Sequence, residues 1–317
     1  MNPRTTRRDM LSQTLAASGA AALLGQTATA VAADTRPANE PFGYCFNTST
    51  IRGQKLPLLA EIEIVARAGY QGIEPWVTEI DQYVKDGGSL DDLRKRIADL
   101  GLSVESVIGF AEWIVDDDAR RGKGLDEAKR IMEMTAQIGG KRLAAPPAGV
   151  SEADRLELPT MAARYRALLD LGDQHGAVPQ LELWGFARVL NKLSDVTFVA
   201  VEAAHPKACI LADSYHLYKG GSSYDSVRVV SGAAMHVFHI NDYPAVPDRK
   251  NITDAQRIFP GDGVAPLGTL FRSLRDGGFR GMLSLELFNR EYWNQDALLV
   301  ARTGLEKTRE AVQKAFA

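Results

Sequence analysis

From Phe42 onward the chain repeats one unit eight times: a short apolar run followed by a longer segment of helical period. The runs are FGYCFN (Phe42–Asn47), GIEPW (Gly72–Trp76), SVESVI (Ser103–Ile108), KRLAAP (Lys141–Pro146), PQLELW (Pro179–Trp184), ACILAD (Ala208–Asp213), MHVFHI (Met235–Ile240) and GMLSLEL (Gly281–Leu287). In one of the intervening segments Leu125, Ala128, Met132, Thr135 and Ile138 recur at three- and four-residue spacing, as an amphipathic helix requires. Several helices run into glycine just before the next strand, the usual punctuation of an αβ junction. Strict alternation predicts a parallel sheet, and eight units in about 280 residues predict a single closed (β/α)₈ barrel rather than an open sheet. No glycine-rich dinucleotide fingerprint follows the first strand.

The N-terminus does not fit that repeat. TTRRDML (Thr5–Leu11) sets paired arginines ahead of an Ala-rich run too short and too weakly apolar to span a membrane. Residues 1–33 therefore read as a twin-arginine signal peptide, residues 34–41 as a leader and residues 42–317 as the barrel. The mature protein is expected in the periplasm, with an N-terminus near Asp34 by mass spectrometry. Removing Arg4, Arg7, Arg8 and Asp9 takes the formal net charge from −3 to −5. That acidity argues against nucleic acid and against a membrane partner after cleavage, and leaves a small-molecule substrate; a homo-oligomer is left open. Cys45 and Cys209 both lie in apolar runs and are expected as buried free thiols.

In a closed barrel the carboxyl ends of the strands converge on one pocket. Those ends carry Glu74, Glu182, Asp213, His239 and Glu286, with Glu105 inside the third run. In QLELW and SLELF leucines flank the glutamate, so alternation sends the leucines toward the helices and the glutamate into the barrel. Asp213 could simply cap a turn. Several converging carboxylates, however, repel one another and call for a cation. Three carboxylates and an imidazole suit one divalent ion such as Mn²⁺, Co²⁺ or Mg²⁺, with Zn²⁺ also compatible.

The motifs LELW, DSYHLYKGG, HINDYP, PGDG and SLELFN resemble those of the xylose isomerase-like barrels. The likeness is to their sugar phosphate isomerase/epimerase branch, with tagatose and psicose 3-epimerases, hydroxypyruvate isomerase and inosose isomerases, and it covers nearly the whole mature chain. The resemblance implies that Glu182, Asp213, His239 and Glu286 hold the metal. It implies further that Glu182 and Glu286 move protons on opposite faces of the substrate, and that His216 touches a substrate oxygen. Family epimerases carry a substrate-binding arginine soon after the strand-seven histidine. Here the loop is long and its arginines, Arg249 and Arg257, come later. Either is a candidate substrate contact, and the loop is expected to cover the site. Glu74, Trp113 and Lys219 are further candidates, whereas His175, His205 and His236 are expected to be structural.

These residues imply proton transfer next to a carbonyl, through an enediolate chelated by the metal, on an unphosphorylated keto-sugar or related polyol ketone. A keto-sugar dehydratase or β-eliminating lyase of the 3-keto-glycoside type would use the same start. A non-catalytic sugar-binding barrel is the third reading, and an abasic-site endonuclease is disfavoured by the acidic chain and its five histidines.

Overall fold

The computed structural model describes residues 40–317. The expected signal peptide and nearly all of the leader lie outside them. Eight parallel strands follow one another: β1 (Gly43–Asn47), β2 (Gly72–Glu74), β3 (Ser103–Val104), β4 (Arg142–Ala145), β5 (Val178–Glu182), β6 (Ile210–Asp213), β7 (Met235–Ile240) and β8 (Met282–Leu285). Their order is β3-β2-β1-β8-β7-β6-β5-β4. The third run was expected to be a full strand but pairs regularly over only two residues. It then bends, and Val107 closes the ring by a bridge to Leu143, donating to Arg142 O at 3.1 Å and accepting from Ala144 N at 2.9 Å.

The helices are α1 (Leu58–Ala68), α2 (Val77–Lys85), α3 (Leu90–Asp99), α4 (Asp118–Gln137), α5 (Leu158–His175), α6 (Leu193–Glu202), α7 (Ser214–Gly220), α8 (Leu267–Asp276) and α9 (Ala297–Phe316). Helix α1 ends where Gly69 takes φ 96°, a left-handed turn that glycine enters without penalty, and the Gly69 N–H closes on Ala66 O. In α4 the apolar stripe read from the sequence is the buried face, with Ala128, Met132 and Thr135 turned inward. None of the described helices is long and apolar enough to cross a membrane.

Strand alternation divides the core in two. Leu181, Leu183, Leu285 and Leu287 pack outward with the helices, while Ala144, Leu211 and Val237 form an inner plug with Trp76 and Ile108. The inner face also carries paired polar groups: Gln180 donates to Ser106 Oγ at 3.1 Å, and Ser284 Oγ donates to Glu74. Each pair shares one hydrogen bond out of water, while Gln180 Oε1 and Glu74 Oε1 stay without a partner. Cys45 and Cys209 are buried free thiols.

Among the described helices, α1 buries a carboxyl away from the strand ends. Glu61 on α1 is 2% exposed with Oε2 unpartnered, and burial, reinforced by Glu79, pushes its carboxyl from 4.5 up to about 9 while Arg52 pulls the other way. The folded state thus binds this proton more tightly than the unfolded chain. The associated stability is complete below pH 4.5 and is lost as pH rises toward 9. Glu61→Gln, which mimics the neutral acid, is expected to raise the melting temperature at pH 8 by roughly 2–8 °C. The gain should vanish near pH 4, and a gain independent of pH would contradict the assignment.

Candidate active site

The pocket at the carboxyl ends of the strands has a volume of about 210 Å³. Glu182, Glu286, His216 and Arg257 line it together with a series of aromatic rings. Parallel register sets the floor: Asp213, the last residue of β6, pairs with His239, and His239 with Ser284, each one residue before the end of its strand, so the three come level.

Asp213 does two jobs. Strand β6 passes straight into α7, and Asp213 Oδ1 caps that helix by accepting from His216 N at 2.9 Å. Its Oδ2 accepts from Asn241 Nδ2 at 3.1 Å and from Arg257 Nη1 at 2.9 Å. The same Arg257 nitrogen donates to Glu286 Oε2 at 2.8 Å, and Nη2 donates to His216 Nε2 at 3.1 Å and to Asp254. Arg257 is 1% exposed, and its guanidinium lies 4.5 Å from the Tyr215 ring centroid. The two carboxylates therefore share one buried cation from the loop after β7.

That loop is tied at both ends. Asp242 and Ile258 exchange backbone hydrogen bonds of 2.9 Å, and the Asp242 carboxylate accepts from the amides of Tyr243, Gly261, Gly263 and Ala265. Arg249, the other candidate arginine, is exposed on the loop's outer side, its Nη1 beside Gly221. Lys219 does not reach the pocket as expected: its Nζ donates to Lys250 O and Ile252 O and so fastens the loop.

Two further expectations are corrected. Glu74 is fully buried and accepts from His239 Nε2 at 3.0 Å, so it orients the imidazole instead of meeting substrate. Trp113 is 1% exposed, donates to Pro146 O at 2.8 Å and packs on Tyr165 between barrel and helices. Three expected structural histidines lie outside the pocket. His175 pairs with Glu133 at the end of α5, His205 Nδ1 accepts from Lys207 N, and His236 faces outward on β7.

Sequence reasoning missed Asn47. At the end of β1 it donates to Glu286 Oε1 at 3.1 Å and accepts from Trp76 Nε1 at 2.8 Å, while Arg52 stacks 3.5 Å over the Trp76 ring. Its position at a strand end was the available signal, but an amide carries no charge to draw notice. Asn241, two residues beyond His239, was missed for the same reason.

The two pocket glutamates differ in proton affinity. Burial dominates at Glu182, which has no ion-pair partner among the described residues, and raises its carboxyl to about 8. Burial also acts on Glu286, but the His239 and Arg257 charges outweigh it and hold that carboxyl below its usual range. Asp213 is lifted by burial to about 6 despite Arg257. His216 is held neutral by burial and by the Arg257 charge. Pairs of carboxyls pushed apart in this way are suited to opposite roles in proton transfer.

The donors fit a divalent cation. Asp213, His239 and Glu286 each offer a ligand atom within 4.8 Å of the others, all three buried. His239 Nδ1 is buried without a hydrogen-bond partner, facing Glu286 Oε2 at 3.2 Å, and Glu74 fixes the opposite nitrogen. Glu182, expected as a fourth ligand, lines the pocket but stands outside this tight group.

The family model for xylose isomerase-like TIM barrels matches residues 62–311. Inosose isomerase of Bacillus licheniformis is 26% identical over 277 residues, spanning 86% of this chain and 98% of that protein. The 3-dehydroshikimate dehydratase of Pseudomonas putida is 25% identical over 231 residues, 72% of this chain but only 36% of that longer protein. The crystal structure of the IOLI protein with a binding zinc atom superposes with a TM-score of 0.80 at 24% identity, covering 87% of this chain and 99% of its own.

Proposed function

The chain belongs to the xylose isomerase-like TIM barrel family, and from that premise we propose that it is an isomerase or epimerase of an unphosphorylated keto-sugar or cyclitol ketone. The observation that carries this reading is the convergence of Glu182 and Glu286, with opposed proton affinities, beside His216 and Arg257 in one buried pocket. Two carboxyls on different strands can take a proton from the carbon next to a carbonyl and return it from another direction. Glu182 and Glu286 are the two groups that pass the proton, one taking it as a carboxylate and the other returning it. Arg257 and His216 line the pocket and each keeps one buried nitrogen without a partner, Arg257 Nε and His216 Nδ1, which a substrate oxygen can meet as charge develops there. A divalent ion held by Asp213, His239 and Glu286 would polarise the carbonyl and acidify its neighbouring carbon. An exported setting, proposed from the paired arginines, favours free sugars over phosphorylated ones.

The similarity to a dehydratase favours one second reading, loss of water or another β leaving group from the same enolate. One experiment tests both. Protein reconstituted in turn with Mn²⁺, Co²⁺, Mg²⁺ and Zn²⁺ is incubated in deuterated water with free keto-sugars, inososes and 3-keto glycosides. Deuterium entering next to the carbonyl with the formula otherwise intact is the expected result. Loss of water or aglycone would select the eliminating reading, and no exchange with any ketone would remove both.

A further inference from the structure

The polar groups of the pocket occupy its floor, whereas its outer wall is aromatic. Phe110 leaves the barrel just past Ile108, and Trp184 and Phe186 follow Glu182 by two and four residues. Their rings run in series: Phe110 to Trp184 at 5.7 Å, Trp184 to Phe186 at 5.1 Å, and Phe186 to the His216 ring at 5.3 Å between centroids. Phe110 is 41% and Phe186 50% exposed. Isolated exposed apolar side chains are ordinary on a protein surface, but these are contiguous and lead outward from a substrate-holding group.

The rim is also built tightly. A Cβ on Gly185 would sit 2.3 Å from His216 O and 2.6 Å from Gly220 N, so the Trp184–Phe186 turn lies directly on α7 and only glycine allows that approach. Phe110 and Trp184 are tilted by 46° and Trp184 and Phe186 by 33°, so the rings form a curved apolar rim, and a rim ordered in advance costs little entropy when an apolar partner packs against it. One face of a sugar ring needs one aromatic partner, and its many hydroxyls match the polar floor. The additional half-exposed rings match something flat and apolar joined to the sugar.

We propose that the pocket takes a ring ketone bearing a planar apolar substituent, a 3-keto aryl glycoside for example, with the ketone over the polar floor and the substituent packed against Phe110, Trp184 and Phe186. This rests on the proposed function for the identity of the ketone end, while the rim's preference stands on the rings themselves.

The test is a binding measurement with the full chain loaded with Mn²⁺. Its probes are matched phenyl and methyl glucosides of both anomers, which lack a ketone and so are inert to proton exchange. The phenyl glucoside is expected to bind about tenfold or more tightly than the methyl glucoside, by titration calorimetry. Phe110→Ala and Phe186→Ala should each reduce that ratio to below about threefold. Phe198→Ala, removing another exposed phenylalanine on α6, should leave it intact. Equal binding of the two glucosides, no binding of either, or a loss of self-association in Phe186→Ala by sedimentation would overturn the proposal; the last would make the rim a contact between copies. A phenyl preference without any deuterium exchange would sink the proposed reaction and spare the rim, and exchange without the preference would do the reverse.

Discussion

Glu286→Gln and Glu182→Gln are each expected to lower the rate of deuterium exchange by about a hundred- to ten-thousandfold. Glutamine keeps the shape of the side chain and removes its capacity to carry a proton, so the loss reports chemistry more than packing. Glu286→Gln should be the more damaging, because the same carboxylate also anchors Arg257 at 2.8 Å and faces His239 at 3.2 Å. His175→Ala, at the end of α5 beside Glu133, should exchange at the wild-type rate. Equal losses in all three, or no loss in either glutamine variant, would show that the proton passes elsewhere.

Arg257→Ala is expected to lower kcat/KM by roughly thirty- to a thousandfold, while Arg249→Ala stays within about twofold of wild type. The structure separates the two: one guanidinium is buried on Asp213, Glu286 and His216, and the other is in solvent. Arg257→Ala should also cost the cation-free protein about 3–5 kcal/mol, because two buried carboxylates lose their shared positive partner. Part of that stability should return on adding Mn²⁺, read as a larger ion-induced rise in melting temperature than wild type shows. A variant with wild-type turnover, or one that the ion stabilises no more than wild type, would reduce Arg257 to a packing residue.

The fold was legible because its determinants are local. Period-two runs, period-3.6 segments and junction glycines such as Gly69 are each set by a few neighbouring residues, and strict alternation then admits few architectures. The inward direction of Glu182 and Glu286 followed from the flanking leucines, which pack outward as their parity requires. Once parallel strands close into a ring, the ends of β5 to β8 must meet, so the convergence of Asp213, His239 and Glu286, with Glu182 in the pocket wall, followed from their chain order.

What sequence could not supply were distances across the ring and the paths of the loops, both fixed by contacts between residues far apart in the chain. Arg249 and Arg257 are equivalent as text. The backbone pairing of Asp242 with Ile258 and the Lys219 clamp on Lys250 and Ile252 turn Arg257 in and leave Arg249 out. Glu74 ends its strand as Glu182 does, but Ser284 and His239 meet it inside the barrel and make it a support for the imidazole. Trp113 follows the third strand closely, yet the bend that lets Val107 reach β4 is followed by a turn that buries its ring against Tyr165. The aromatic rim had no periodic signature, since Phe110, Trp184 and Phe186 come from two separate loops. Local patterns determined the barrel and the direction of its strand-end side chains, because backbone geometry fixes both within a few residues. Tertiary structure alone decided which charge lies against which, because burial and long-range hydrogen bonds select among partners that the sequence leaves equivalent.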